Sequence, residues 1–137
     1  MDQNKSQVRS QITFLYYRDL QPVSEFYEGI MGFDLIEDQG WAKIYRVNGN
    51  AHLGIVNEEK GFHKAQQKNA VLITFVVDDV SWWYDYLRGR GVKMLTGLRE
   101  VADIQVRCFF LEDPGQYTIE VQQFLKPEIA RVFHQAD

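Results

Sequence analysis

Two stretches of this chain carry the same order of elements, and that internal repeat restricts the fold more than any figure of composition does. Asp19, Val23, Phe26 and Tyr27 are followed sixty positions later by Asp79, Trp83, Tyr86 and Leu87. The first copy, about residues 11–57, opens with the β-branched and aromatic run Ile12-Thr13-Phe14-Leu15-Tyr16-Tyr17. Pro22 then stands where a helix can begin, and Val23, Phe26, Tyr27 and Ile30 recur at helical spacing before Gly32 stops it. Three short strands follow, over Phe33–Ile36, Trp41–Val47 and Ala51–Val56, with turns at Gln39-Gly40 and Asn48-Gly49-Asn50. The second copy, about residues 70–124, has a strand over Leu72–Val77, a helix with Trp83, Tyr86 and Leu87 that stops at Gly91, and strands over Val92–Leu95, Gln105–Leu111 and Gln116–Gln122. Each copy reads β-α-β-β-β, so the expected class is α+β. Aligning Gly115–Val121 with Gly49–Ile55 sets Glu120 opposite Gly54 and Thr118 opposite His52. A polar linker, 58–69, joins the copies, and 126–137 reads as a C-terminal helix outside the repeat.

Composition removes several classes of function. At 137 residues, 45% hydrophobic, the chain has enough apolar surface for a core without disulfides. Its single cysteine, Cys108, lies in the apolar run Cys108-Phe109-Phe110-Leu111 and reads as a buried thiol in a reducing, cytoplasmic setting. The net charge of −4 and the scattered basic residues argue against nucleic acid as a partner. No apolar signal segment opens the sequence, and the run Ala70–Val77 is too short to span a bilayer, so no membrane partner is expected. His63 and His134 read as ordinary polar residues; Gly89-x-Gly91 lacks the third glycine and preceding strand of a dinucleotide site. What composition leaves to be explained is the aromatic content, 14%, with three Trp, seven Tyr and nine Phe.

Asp19-Leu20 with Phe26-Tyr27 and Met31-Gly32-Phe33, then Val77-Asp78-Asp79-Val80 with Gly91-Val92, and above all the phrase from Phe110 through Glu112-Asp113-Pro114-Gly115 to Glu120, carry a resemblance. In these phrases the chain resembles the vicinal oxygen chelate superfamily of glyoxalases, bleomycin-resistance proteins and extradiol dioxygenases, over nearly all of residues 11–124. The resemblance implies paired βαβββ modules whose curved mixed sheet surrounds a cleft, with helices on the outer face, and frequently a homodimer.

Enzymes of that group hold a divalent metal with four side chains, one on the first and one on the last strand of each module. Transferred residue by residue, those slots fall on Ile12, Gly54, Leu72 and Glu120, and only Glu120 offers a donor atom. No metal and no other cofactor is therefore expected. Strand alternation turns Thr118 and Gln122 to the same side as Glu120, and the same phase brings Phe14, Tyr16, His52, Val56, Thr74 and Val76 there. Two further alternating sets, Trp41, Lys43, Tyr45 and Arg107, Phe109, Leu111, are candidates for the wall. The expected function is metal-free binding of an aromatic or amphipathic organic ligand by Phe14, Tyr16, Trp41, Tyr45, His52, Arg107, Phe109, Thr118 and Glu120. The alternative is a glyoxalase- or dioxygenase-like enzyme with a non-standard or metal-free site, for which Glu120 is the best catalytic candidate. A third reading uses the aromatic second helix as a partner-binding surface, and Gly61-Phe62-His63 in the linker reads as a solvated connection rather than a lid.

Overall fold

The computed structural model describes residues 6–133; His134 and the rest of the expected terminal helix lie outside the described residues. The chain forms two compact units that divide between Gln66 and Gln67.

The first unit contains β1 (Gln11–Tyr17), α1 (Leu20–Ser24), a π-helical turn (Glu25–Ile30), β2 (Asp34–Asp38), β3 (Ala42–Asn48) and β4 (Ala51–Asn57). Its strands lie in the order β1-β4-β3-β2, with β1 parallel to β4 and the other pairs antiparallel. The second unit contains β5 (Leu72–Val76), α2 (Val80–Gly89), β6 (Lys93–Met94), β7 (Arg99–Val101), β8 (Val106–Glu112), β9 (Thr118–Phe124) and α3 (Pro127–Phe133). Its order is β5-β9-β8-β6, and β7 also pairs with β8. Each sheet is thus mixed, with the last long strand of the copy inserted beside the first. The short β7 is an addition to the expected pattern; it folds back on β8 through a turn that ends at Gln105, whose φ is 51°.

The repeated aspartates have one physical role. The Asp19 carboxylate accepts from the Gln21 backbone N–H at 3.1 Å, and the Asp79 carboxylate accepts from that of Trp82 at 3.1 Å. Each caps the helix that follows its strand, satisfying a donor that the first turn leaves unpaired. The first helix then widens: the Met31 N–H reaches the Phe26 carbonyl at 2.8 Å, five residues back. Gly32, at φ 75°, lets the chain leave that widened turn toward β2.

One face of each sheet packs on its helix. In the first unit Leu15, Tyr17, Leu53 and Ile55 are buried with Val23, Phe26 and Tyr27. Tyr45 is fully buried there, its ring 6.3 Å from that of Tyr27, and its hydroxyl donates to Glu28 at 2.6 Å. Lys43 also turns to this side, 3.6 Å from Glu28. In the second unit Ile119, Val121, Leu111 and Phe109 are fully buried with Val80 and Leu87, and the Phe109 ring meets Tyr84 of α2 edge-on at 5.2 Å. Tyr45 and Phe109 therefore belong to the helix layer, contrary to the expectation that they line a ligand wall.

Burial raises the ionisation of the Tyr45 hydroxyl far above the ordinary tyrosine range, and its hydrogen bond to Glu28 adds to the shift. A raised acid pKa means that the folded state resists ionisation that the unfolded chain undergoes from about pH 10. The associated stability is complete below that pH and is lost as the pH rises above it. Tyr45→Phe should cost about 1.5–3 kcal/mol in urea unfolding at neutral pH, as expected for a hydrogen bond to a carboxylate. It should also flatten the fall in stability above about pH 10; a variant with the wild-type midpoint and slope would refute this role.

Candidate functional site

The second face of each sheet carries the remaining polar and aromatic candidates. In the first unit, pairing sets Ile12 beside His52, Phe14 beside Gly54 and Tyr16 beside Val56, while Ala42, Ile44 and Arg46 of β3 stand opposite Val56, Gly54 and His52. In the second unit Leu72, Thr74 and Val76 stand beside Thr118, Glu120 and Gln122, and Phe110 and Cys108 stand opposite Glu120 and Gln122. Paired residues share a face, so Phe14, Tyr16, His52, Thr118 and Glu120 lie on the faces expected of them.

The third-strand set and its counterpart are corrected by the same registers. Tyr45 pairs with Leu53 and Phe109 with Val121, both helix-facing. Arg107 pairs with Gln123, and its guanidinium lies 3.3 Å from the Glu100 carboxylate rather than beside Glu120. Trp41 precedes β3 and is half exposed. In place of these, Ile44, Phe110 and Cys108 occupy the Gly54 and Glu120 faces. Their signal is visible only through pairing.

Glu120 is 9% exposed and fully partnered by neutral groups. The Thr74 hydroxyl donates to one carboxylate oxygen at 2.9 Å and the Gln122 side-chain amide to the other at 3.3 Å. The Cys108 thiol lies against the same carboxylate. Burial pushes the Cys108 thiol pKa up and the adjacent Glu120 pushes it further, against a smaller opposite effect of Arg99. Cys108 thus stays a thiol, as its apolar surroundings in the sequence suggest, and is not poised as a nucleophile. Arg99 itself lies over the Phe110 ring, 5.2 Å from its centroid. The turn that aims β9 is built by Asp113, whose buried carboxylate accepts from the backbone N–H groups of Gly115 and Tyr117, each at 2.9 Å. On the first unit's face His52 is half buried and shares a hydrogen bond at 2.9 Å between Nδ1 and the Ser10 hydroxyl.

Gly54 shows why the last-strand slot of the first unit carries no metal donor. A side chain there would collide with the ring of Phe14, which lies directly over the glycine. The space of a ligating side chain is taken by an aromatic ring from the neighbouring strand. Of the four slots, Ile12 and Leu72 offer hydrocarbon and Gly54 offers none, and no group of three or more His, Cys, Asp or Glu is placed to hold an ion among the described residues. The donor set does not fit a divalent metal, which takes at least three protein ligands in a catalytic zinc site.

The segment after β4 is built rather than loose. The Glu58 carboxylate accepts from the Ala65 N–H at 3.0 Å, Lys64 donates to the Glu58 carbonyl at 3.0 Å, and the Glu58 N–H donates to the Tyr17 carbonyl at 2.9 Å. This folds Gly61 onto Tyr16 and Val56, so close that a Cβ would lie 2.7 Å from each, and puts the His63 ring edge-on to Tyr16 at 5.3 Å. The expected solvated connection does stay exposed at Glu59, Lys60, Phe62, His63 and Lys64, and these bonds hold it as a strap across one end of the face that carries Phe14 and Tyr16.

Comparison with known proteins agrees with this architecture. The glyoxalase family, described as the Glyoxalase/Bleomycin resistance protein/Dioxygenase superfamily, matches residues 9–121. An uncharacterized protein, YraH, of Bacillus subtilis is 26% identical over 121 residues, covering 81% of this chain and 94% of its own. Among solved structures, TioX from Micromonospora superposes with a TM-score of 0.71 at 14% identity, covering 86% of this chain and 100% of that one. A glyoxalase/bleomycin resistance protein/dioxygenase from Nocardioides gives 0.70 at 17% identity and 91% coverage of both chains. A lactoylglutathione lyase from Agrobacterium tumefaciens gives 0.69 at 17%, covering 86% and 93%. At these identities the structural likeness speaks for the fold alone.

The Gly54–Phe14 contact predicts a coupled pair. Gly54→Ala must push the Phe14 ring off its seat and should destabilise by about 1–3 kcal/mol. In Phe14→Ala/Gly54→Ala the added methyl has room, so a double-mutant cycle in urea should show strong non-additivity. Additive effects would mean that the ring does not sit on the glycine.

Proposed function

The chain belongs to the glyoxalase/bleomycin resistance protein/dioxygenase superfamily, and from that premise we propose that it is a small-molecule binding protein that works without a metal, taking a planar aromatic or amphipathic organic ligand. The observation that carries the reading is the Phe14 ring over Gly54, which replaces a metal-ligating position by an apolar surface. Phe14 and Tyr16 supply faces on which a planar ring stacks, an interaction of about 0.5–1.5 kcal/mol per pair beyond simple burial. His52, exposed enough to be reached, orients a polar group on the same face. In the second unit the buried Glu120 carboxylate is held by neutral groups, Thr74, Gln122 and Cys108. Binding on this face of the first unit is then selective for molecules that combine a flat apolar body with a polar group for His52.

Elemental analysis of untagged protein should find no transition metal near one equivalent. Near-stoichiometric Fe, Zn, Ni or Mn that disappears in Glu120→Ala would overturn the metal-independent reading and favour a superfamily enzyme. A thermal-shift screen of planar aromatic compounds should give a hit; at a hundredfold excess over Kd the gain is about 2.7 kcal/mol, roughly 8–12 °C for a chain of this size. Tyr16→Ala should remove most of that shift and His52→Ala should reduce it for ligands that carry a polar group. A hit indifferent to both substitutions would place binding elsewhere.

A further inference from the structure

Phe62 is 91% exposed, the most exposed large apolar side chain among the described residues. It does not stand on a loose loop. Asn57 accepts through its carbonyl from Lys60 and Gly61 at 3.3 and 3.1 Å and through its carboxamide from the Glu59 N–H at 2.9 Å, and the Glu58 bonds hold the other end of the strap. The strap rests on the ligand-side face through two contacts, Gly61 on Tyr16 and Val56, and His63 edge-on to Tyr16. Phe62 then touches His63, ring to ring, edge-on at 5.0 Å. Three aromatic rings thus follow one another from the sheet outward, and the outermost has only one side covered.

The second unit supplies an internal comparison. Val76 is the repeat counterpart of Tyr16, and the segment after β9 also returns to that end of its sheet, where α3 sets Phe133 parallel on Phe124 at 5.0 Å. Val76, Phe124, Ala130 and Phe133 line one small hollow there. In that unit the covering aromatic ring has found a flat partner on the sheet. In the first unit the corresponding cover ends in a ring with a free face.

We propose that Phe62 and His63 are ligand-contacting residues, forming with Tyr16 a clasp for a planar aromatic ligand. This rests on the binding reading above and adds the residues that hold the ligand in place. The flat ligand lies beside Tyr16, and Phe62, carried on the strap that Gly61 seats against Tyr16 and Val56, packs on its outer face. Gly61 is required because any larger side chain lifts the strap off Tyr16 and Val56. The exposure of Phe62 in the free protein has a consequence for kinetics. Removing its ring takes away a contact made only when ligand is present, so it raises the dissociation rate without lowering the stability of the free protein.

The test uses the full chain and 8-anilinonaphthalene-1-sulfonate, a planar aromatic anion whose emission rises on binding, in stopped-flow and equilibrium titrations. Phe62→Ala should leave the unfolding midpoint of the free protein unchanged and speed probe release about tenfold, with a small change in association rate. Gly61→Val should speed release similarly, and Tyr16→Ala should abolish the signal. If Phe62→Ala and Gly61→Val release the probe at the wild-type rate while Tyr16→Ala loses it, the clasp is wrong and the binding face stands. If Tyr16→Ala also binds as wild type does, this face is not the site and both readings fall. A loss of stability in Phe62→Ala would show the ring to be structural and would overturn the proposal.

Discussion

The position of β4 between β1 and β3, and of β9 between β5 and β8, decides which residues stand on the face of each sheet away from its helix. Each of these central strands is hydrogen-bonded on both edges, so its two faces are fixed by two neighbours at once. One face is sealed by a helix through Ile55 or through Ile119 and Val121, all fully buried. Once that seal forms, a slip by one residue would turn those side chains outward and expose them, which is why the register is so strongly specified. Gly54 and Glu120 follow as the residues that look the other way, and every candidate on the neighbouring strands is placed by its pairing with them.

Much of this is legible in the sequence because the same local chemistry is written twice. Asp19 and Asp79 announce helix caps, Gly32 and Gly91 mark exits at positive φ, and the Asp113 turn identifies the strand that carries Glu120. The edge strand β1 also has a readable phase, since Leu15 and Tyr17 alternate with residues that stay more open. β3 and β8 do not. In Ala42–Asn48 one alternating set contains Arg46 and the other Lys43; in Val106–Glu112 one contains Glu112 and the other Arg107. Hydropathy gives such strands no inside and outside. Tyr45 and Phe109 look like ligand aromatics in isolation, yet the hydrogen bond of Tyr45 to Glu28 and the ring contact of Phe109 with Tyr84 need helices whose orientation only the folded chain supplies.

The aromatic surplus divides along the same line. Phe26, Tyr27, Tyr45 and Phe109 are accounted for by packing under the helices. Tyr86 stacks on Trp82 along the outer side of α2, at 4.8 Å and 12° between planes, and Arg90 lies over Tyr86 at 4.9 Å. These rings cover one another and the guanidinium stems, which gives large side chains on an open helix face partial burial. The rings that the proposed binding reading assigns to a ligand, Phe14, Tyr16 and Phe62, are all in the first unit.

That concentration bears on how the two copies differ. The second unit retains the carboxylate of Glu120 and surrounds it with a hydroxyl, an amide and a thiol, so the acidic group is buried but satisfied. The first unit has removed the side chain at the equivalent position and moved a ring into the space. Neither change is intelligible alone: a bare glycine on a sheet face weakens the strand, and Phe14 has no seat unless residue 54 lacks a Cβ. Together they convert one donor position into an apolar floor while the other remains a polar anchor. The repeated module thereby presents two unlike faces, an apolar one where the Phe14 ring lies over Gly54 and a polar one at Glu120, each fixed by the residue that the central strand of its own sheet places there.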